Sequence, residues 1–316
     1  MRRFSLSPEA YRTITLVAAI MLAIIIVTGA SVRLTDSGLG CPSWPNCEEG
    51  RLTPHSASDY NAMVEFVNRV FTGLVSISVI VAVLGSLVRT PRRRDLVWLS
   101  WGLVGGVFAQ AVLGGLTVLF ELKPGFVMAH FLVSIVLLTN AIVLYRRAGI
   151  PDEEMAQPNT RIVSDRVVML GRTLIVLAAV VLVTGTVVTG AGPHSGGGKN
   201  DEITRIDIPI PDVARVHGAA VVVFLLAVLL TVFVASRDGV SRAVMTRLTA
   251  LLVVLVAQAA IGYVQYFNDI PPLLVGFHVA GATAVWTAVV WFHLGLFARR
   301  PVASPAPPSA PVLATT

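Results

Sequence analysis

Eight apolar runs, each long enough to cross a bilayer, limit what this chain can fold into more than any other feature. They lie at roughly 13–33, 66–88, 97–119, 127–147, 172–190, 213–235, 245–267 and 275–297. A helix needs about 20 apolar residues to span the hydrocarbon core of a membrane. Only 13% of the residues are charged, whereas soluble domains contain about a quarter. The sequence therefore predicts an all-α membrane protein with eight transmembrane helices.

The distribution of positive charge predicts the orientation of these helices. When the N-terminus is placed inside, most of the 24 Lys and Arg residues fall in the inner segments, as the positive-inside rule requires. Both termini are then cytoplasmic, and the protein is expected to be a multi-pass protein of the cell (plasma) membrane. The net charge of +6 is explained by this topology and by contact with anionic membrane lipid, so no nucleic-acid partner is implied.

An internal repeat divides the eight runs into two sets of four. Gln110 precedes His130 by the same interval that separates Gln258 from His278, within similar surroundings. Two further matches are Thr28-Gly29 with Thr184-Gly185 and Asn68 with His217. Because each set has an even number of spans, both halves enter the membrane from the same side. The prediction is two tandem four-helix bundles related by a pseudo-twofold axis along the membrane normal.

The repeat also predicts how the chain is divided. We expect an N-terminal half at 1–147, a Pro- and charge-containing cytoplasmic linker at 148–170, a C-terminal half at 171–298, and a disordered cytoplasmic tail at 299–316. Each half is predicted to hold one cofactor site near the outer face, between side chains on its second and fourth helices.

Three histidines are the candidate metal ligands. His130, His217 and His278 each lie a few residues inside the outer start of an apolar run, where an imidazole is costly and usually functional. The C-terminal half then offers His217 with His278, a pair suited to bis-imidazole ligation of a haem iron. The N-terminal half offers His130 with Asn68. The alternative is that these are ordinary helix-end histidines at the membrane interface.

Charged side chains near these positions are further candidates. Glu65 lies three residues before Asn68 and therefore on the same helix face; it is either a proton donor or acceptor beside a cofactor or a solvated charge at a helix start. Arg33, Arg69 and Arg215 are candidates to pair with haem propionates, or they simply extend towards the membrane surface.

Other polar residues have weaker interpretations. Gln110 and Gln258 lie inside helices and are expected to form hydrogen bonds across their bundles. His194 lies in a Gly-rich outer loop, where either a gating role or an ordinary loop position is open. His293 lies towards the inner end of the last run without a counterpart in the repeat, and it is not predicted to be a ligand.

The two cysteines, Cys41 and Cys47, share the first outer loop. Their spacing would close a small disulfide ring in an oxidising compartment. Metal binding is a weaker alternative, because His55 is the only histidine nearby. A redox-active pair that passes electrons is a third interpretation.

These residues carry a family resemblance. The run from Thr28 to Cys47, TGASVRLTDSGLGCPSWPNC, resembles the signature of haem A synthases. So do EFVNR at 65–69, QAVLGGLTV at 110–118, the GPH that ends at His194, and the pair His217 and His278. The similarity runs from about residue 13 to residue 297.

The resemblance implies an oxidoreductase that converts haem O to haem A for cytochrome oxidase, by successive hydroxylations that turn a methyl group into a formyl group. It implies a haem b in the C-terminal half on His217 and His278. It also implies haem O as substrate, and haem A as product, in the N-terminal half beside His130 and the catalytic carboxylate Glu65. The family's outer-loop cysteine pair matches Cys41 and Cys47.

Asn68 departs from the family pattern, because many relatives carry a second histidine at this position. Asparagine is a poor iron ligand beside imidazole. The N-terminal site is therefore predicted to bind its haem through His130 alone, or through His130 with a weak or water-bridged Asn68, which would leave an open iron face.

The expected partners are haem O, membrane lipid, haem O synthase and an electron donor that the sequence does not identify. Two other functions remain open from the sequence. One is a cytochrome b-type electron carrier with two permanent haems, and the other is a haem chaperone or transporter that releases its haem unchanged. Both would share the ligands His217 and His278, but neither explains Glu65 together with Asn68.

Overall fold

The computed structural model describes residues 5–194, 196–197 and 203–299. Its eight long helices are α1 (Pro8–Leu34), α2 (Tyr60–Val88), α3 (Arg94–Leu119), α4 (Pro124–Ala148), α5 (Asp165–Ala191), α6 (Ile210–Arg237), α7 (Arg242–Phe267) and α8 (Pro272–Leu294). Every one of them is long and apolar enough to cross a membrane. The prediction of an all-α membrane protein with eight transmembrane helices is therefore confirmed.

The helices begin earlier than the apolar runs because capped polar turns precede the apolar segments. The side chains of Ser7, Asp59, Ser164 and Ser241 each accept a hydrogen bond from a backbone N–H in the first turn of α1, α2, α5 and α7, which satisfies a donor that the helix itself cannot pair. Helices α4, α6 and α8 carry proline within their first two positions instead, where its missing N–H costs nothing. Helix α5 thus starts at Asp165, inside the predicted linker 148–170.

The predicted linker, 148–170, also contains a short helix and a short strand that are not predicted from the sequence. A short 3-10 helix spans Asp152–Ala156, and strand β1 (Asn159–Arg161) pairs antiparallel with strand β2 (Phe297–Arg299). Arg299, the first residue of the predicted tail, pairs with Asn159 in this ladder, and its guanidinium donates to the carbonyl of Met155. The rest of the predicted tail, 300–316, lies outside the described residues.

Both halves have the same set of neighbouring helices. In the first half α1 packs on α2 and α4, and α3 packs on α2 and α4; in the second half α5 to α8 repeat this pattern. Helices α1, α4, α5 and α8 form the contact between the halves, where the Trp286 indole N–H donates to Thr139 Oγ1 at 2.8 Å. One apolar core runs through both bundles. This arrangement fits a tandem duplication, while the pseudo-twofold axis stays a prediction.

Candidate functional site

The rings of His217 on α6 and His278 on α8 face each other across the second bundle. Their centroids are 6.4 Å apart and their planes are 74° apart. Metal–imidazole bonds are about 2 Å long, and a ring centre lies about 1.2 Å behind its nitrogen, so two imidazoles on opposite sides of one metal ion would have ring centres about 6.4 Å apart. The spacing therefore fits one metal ion between the two rings.

Neighbouring residues hold both rings in place. Thr184 Oγ1 lies 3.0 Å from Nδ1 of His217, a contact of the kind that orients the imidazoles of metal sites. A Cβ atom on Gly185 would lie only 3.1 Å from Cε1 of His217, and one on Gly262 only 2.9 Å from Cε1 of His278. Glycine at these two positions therefore lets each ring pack directly on the backbone of the adjacent helix.

Two glutamines hold the histidine-bearing helices in the same way in both halves. Nε2 of Gln258 donates to the carbonyl of His278 at 2.8 Å, and Nε2 of Gln110 donates to the carbonyl of His130 at 3.0 Å. The predicted hydrogen bonds across the bundles are thereby confirmed. Nδ1 of His130 and Nδ1 of His278 are both buried without a hydrogen-bond partner among the described residues. The two histidines therefore have matching surroundings in the two halves.

All three predicted histidine ligands line one cavity. It has a volume of about 260 Å³ and is bordered by α1 and α4 to α8, so it reaches across the contact between the halves. Arg33 on α1 and Gln258 on α7 also line it. The internal repeat predicts a separate site in each half, whereas His130, His217 and His278 all line this one cavity.

The first half differs from the second at the position that matches His217. Asn68 on α2 does not line the cavity, and its Oδ1 is buried without a partner in the part of the chain that the structure describes. A Cβ atom on Gly29, the counterpart of Gly185, would meet no atom within 4 Å. The space beside Gly29 is therefore open where the second half contains an imidazole.

Glu65 is buried at the first turns of α2, with only 6% of its surface exposed. Its Oε2 accepts from the backbone N–H of Cys41 at 2.8 Å, and its Oε1 accepts from Nη2 of Arg69 at 2.6 Å. Arg69 also donates to the backbone carbonyls of Cys41, Ser43 and Asn46. The interpretation of Glu65 as a solvated charge is wrong, because the cysteine loop covers it.

The cysteine loop itself, 41–47, is closed by a disulfide between Cys41 and Cys47, which confirms the first of the three interpretations. The His55 ring contacts Arg51, with Nδ1 2.8 Å from Nη1. The Trp44 ring packs on the backbone of α3 at Gly115, where a Cβ atom would lie 2.8 Å from the ring. The loop is thus fixed to both α2 and α3.

The remaining predicted residues are dispersed. Arg33 lines the cavity, whereas Arg215 is exposed on α6 and pairs with Asp212 at 3.0 Å. His194 Nε2 contacts the carbonyl of Ile270 at 2.7 Å, which joins two loops at the cysteine-loop end. His293 lies at the opposite end of α8 and does not line the cavity.

Two further residues at the site, Thr184 and Gln265, were not predicted from the sequence. Thr184 contacts His217, and Gln265 lines the cavity with its Oε1 buried and unpaired within the described part of the chain. The Thr-Gly match between Thr28-Gly29 and Thr184-Gly185 was a usable signal for the first, since it marks where α1 and α5 approach their neighbours. Gln265 lies in the segment 258–266 that resembles 110–118, but it matches Thr117 there, so the repeat does not single it out.

Eight helices long and apolar enough to span a membrane, with three histidines on one cavity between them, define an all-α membrane protein with a candidate cofactor site. The cytochrome oxidase assembly protein family COX15-CtaA matches residues 12–193, and the chain belongs to this family. It is 31% identical over 128 residues to the Heme A synthase of Lysinibacillus sphaericus (strain C3-41), which covers 40% of this chain and 41% of that protein. It is 33% identical over 108 residues to the Heme A synthase of Geobacillus kaustophilus (strain HTA426), covering 34% of this chain and 33% of that protein. These matches thus span about two-fifths or less of each relative.

Proposed function

We propose that this chain is a haem A synthase, an oxidoreductase that converts haem O to haem A for cytochrome oxidase. The observation that carries the proposal is the facing pair His217 and His278, with a third imidazole, His130, on the same cavity. The similarity to proteins named Heme A synthase supports it. A cytochrome b-type carrier or a haem chaperone would use the same pair, but two equivalent haems would need a fourth strong ligand, and Asn68 is not one.

In the C-terminal half, His217 and His278 would hold a resident haem b. The fit is supported by their ring spacing, by the contact of Thr184 with His217, and by the glycines that make room for both rings. A haem with two imidazole ligands supplies one-electron redox chemistry when bound. The protein's part is to fix both rings and to keep the surrounding space apolar.

In the N-terminal half, His130 would hold the substrate, haem O. Gln110 fixes the backbone of α4 at His130, and Arg33 is the candidate partner for a haem propionate because it lines the same cavity. The other two candidates for pairing with a propionate, Arg69 and Arg215, already have carboxylate partners in Glu65 and Asp212. Arg33 is therefore our first choice among the three.

Glu65 is the proposed catalytic carboxylate. The change from a methyl to a formyl group removes four electrons and leaves one oxygen on the carbon, so an external oxidant is needed, and protons must leave the site. Glu65 is buried three residues before Asn68, the residue that matches the ligand His217. Its Oε1 and Oε2 could hold or pass a proton there. Its hydrogen bond from Cys41 N–H also ties this carboxylate to the disulfide loop.

The remaining parts of the proposal concern the setting. The histidine sites lie at the end of the bundle that carries the cysteine loop, which we place at the outer face of the plasma membrane, with both termini cytoplasmic. Haem O synthase and a membrane electron donor are the proposed partners, and the disulfide is a candidate redox pair. This orientation is tested by reducing the disulfide and alkylating the cysteines with a reagent that does not cross the membrane. The reagent is added to intact cells, where it reaches the outer face, and to inverted membrane vesicles, where it reaches the inner face.

The test of the function is to express the full chain with a source of haem O and to identify the extracted haems by chromatography and mass. We expect haem A or its hydroxylated intermediate with the unchanged chain and with His55→Ala, a control in the exposed loop. We expect neither product with His130→Ala. Haem O recovered unchanged beside a bound haem b would contradict the proposal and favour the carrier or the chaperone.

A further inference from the structure

A groove runs along the seam between α3 and α4 of the first bundle. It has a volume of about 500 Å³ and shares no lining residue with the cavity around His130. Two of its lining residues, Trp98 and Val136, are 75% and 67% exposed, so the groove opens towards the surrounding lipid. On α3 its lining extends from Asp95 to Gly106, a rise of about 16 Å. Half of the hydrocarbon core of a bilayer is about 15 Å thick, so the groove is about as deep as one leaflet.

Two glycines on α3 create this groove. A Cβ atom on Gly102 would lie 2.8 Å from Nδ2 of Asn140, and a Cβ atom on Gly106 would overlap the side chain of Leu137. The two helices therefore approach each other closely at these positions. The seam is left without side chains of α3 to fill it, and its surface can receive an extended apolar chain.

Positive charge is in excess at the end of the groove where α3 begins and α4 ends. Asp95 lies there and pairs with Arg93 at 2.8 Å and with Arg147 at 3.6 Å. Arg92 and Arg94 are exposed, and neither has a carboxylate within 4 Å in the part of the chain that the structure describes. Four guanidinium groups thus accompany one carboxylate at this end, which favours a ligand with a negative charge.

The first turn of α3 provides further donors for an anion. Arg93, at the N-cap of α3, makes no side-chain capping hydrogen bond, whereas Ser241 caps the matching helix α7 by accepting from the backbone N–H of Val244. Uncapped N–H groups and the helix dipole both favour a negative group at a helix N-terminus. A phosphate at this end of the groove would therefore meet backbone N–H donors as well as guanidinium groups.

The second bundle does not repeat these features. In the register that matches Gln110 with Gln258, the counterparts of Trp98, Gly102, Gly106 and Arg147 are Thr246, Ala250, Val254 and Gly295. The exposed indole, the two glycines and the arginine at the end of α4 are thus particular to the first half. A general attraction between a basic protein and lipid would not need them in one half only.

We infer that the α3–α4 groove is a binding site for one phospholipid with an anionic headgroup. The acyl chain lies along the seam at Gly102 and Gly106, and the phosphate lies at the first turn of α3, near Arg94 and Arg147. Basic pockets between membrane helices recognise headgroups in this way, and Trp98 is of the type that anchors at the membrane–water interface. In the orientation proposed above, the lipid belongs to the inner leaflet. The inference does not depend on haem binding or on the proposed activity.

The test applies native mass spectrometry to the purified full-length protein in detergent, with phosphatidylglycerol and phosphatidylcholine of identical acyl chains as probes. We expect one phosphatidylglycerol to be retained about tenfold more tightly than phosphatidylcholine. Val136→Phe should fill the groove and lower this binding by about tenfold. Val253→Phe is the matched control, because Val253 lies on the exposed face of α7, and it should bind as the unchanged protein does.

A second pair of variants tests the charge and leaves the groove open. Arg94→Gln combined with Arg147→Gln should lower the affinity for phosphatidylglycerol by about tenfold, with little change for phosphatidylcholine. Arg242→Gln, at the residue that matches Arg94 on α7, is the control and should have no effect. All of the replaced side chains are exposed, and circular dichroism measures whether each variant is folded.

Three results would overturn the inference. The first is equal retention of the two lipids by the unchanged protein. The second is unchanged binding of phosphatidylglycerol by folded Val136→Phe or by the folded double arginine variant. The third is displacement of the bound lipid by inorganic phosphate, which would make the groove end a site for free phosphate. Formation of haem A bears on none of these results, so the inference and the proposed function can fail separately.

Discussion

The two halves of this protein share a framework and differ in what the framework holds. Both pack four helices in the same order, and both use a glutamine on the third helix to hold the backbone carbonyl of a histidine on the fourth. The second half adds His217 from its second helix. The first half has Asn68 there, and near it a buried carboxylate, Glu65, under a disulfide loop.

A duplicated bundle can thus be specialised by single side chains while its helix packing stays the same. A closed pair of imidazoles would suit a permanent redox centre, because two histidines would hold the bound metal. A single imidazole beside open space favours a site where the bound group reacts or exchanges. Single substitutions at matched positions of the two halves test this contrast.

Removing one imidazole of the closed pair should have the largest effect. We expect His278→Ala to abolish nearly all of the low-spin absorption of the C-terminal haem, since a single remaining ligand cannot maintain bis-imidazole binding. The measurement is the reduced-minus-oxidised spectrum per mole of protein. His293→Ala, on the same helix but away from the cavity, is the matched control and should keep the signal. Full retention of the signal in His278→Ala would remove the pair from the proposal.

Glu65 should come next, because it combines an anchoring role with the proposed chemistry. Glu65→Ala leaves Arg69 without its carboxylate, and breaking a buried ion pair costs about 3 kcal/mol or more. Glu65→Gln keeps an oxygen that can accept from Cys41 N–H and should lose less stability. We expect no haem A from either variant, measured by extraction alongside thermal unfolding in detergent. Normal conversion by Glu65→Gln would reduce Glu65 to an anchor of the cysteine loop.

Matched glycines should report the difference in space between the halves. Gly262→Ala and Gly185→Ala would press on His278 and His217, and overpacking of this kind costs about 1–3 kcal/mol. We expect both to lower the content of the C-terminal haem. Gly29→Ala enters open space and should leave that haem unchanged. Equal effects at Gly29 and Gly185 would mean that the first half is as tightly filled as the second.

The glutamines should show the smallest effect and the greatest similarity between halves. Gln258→Leu and Gln110→Leu each remove a hydrogen bond inside the membrane, worth about 0.6–2 kcal/mol. Gln110→Leu should be slightly more damaging, because Gln110 also donates to Ser134 Oγ at 2.8 Å. Thermal unfolding of the protein in lipid nanodiscs measures both. A large loss in one half only would contradict the shared framework.

The main features of the fold could be predicted from hydrophobicity and charge, because a bilayer admits few alternatives to apolar helices of about 20 residues. The ladder between β1 and β2 could not, because its strands are three residues each and lie 138 positions apart at their centres, Thr160 and Ala298. The start of α5 at Asp165 could not be predicted from hydrophobicity either, because the first turns of this helix are polar and precede its apolar run.

The eight spans, the duplicated Gln and His positions and the Asn68 that matches His217 can all be read from the chain alone. They follow from composition and spacing, and a bilayer leaves apolar segments few alternatives to a helix. Three other facts emerge from the packing of the helices: three histidines border one cavity, Arg69 and Glu65 hold the cysteine loop, and Gly29 faces open space. Those facts depend on how helices distant in sequence pack against each other, and side-chain spacing along one chain does not specify that packing.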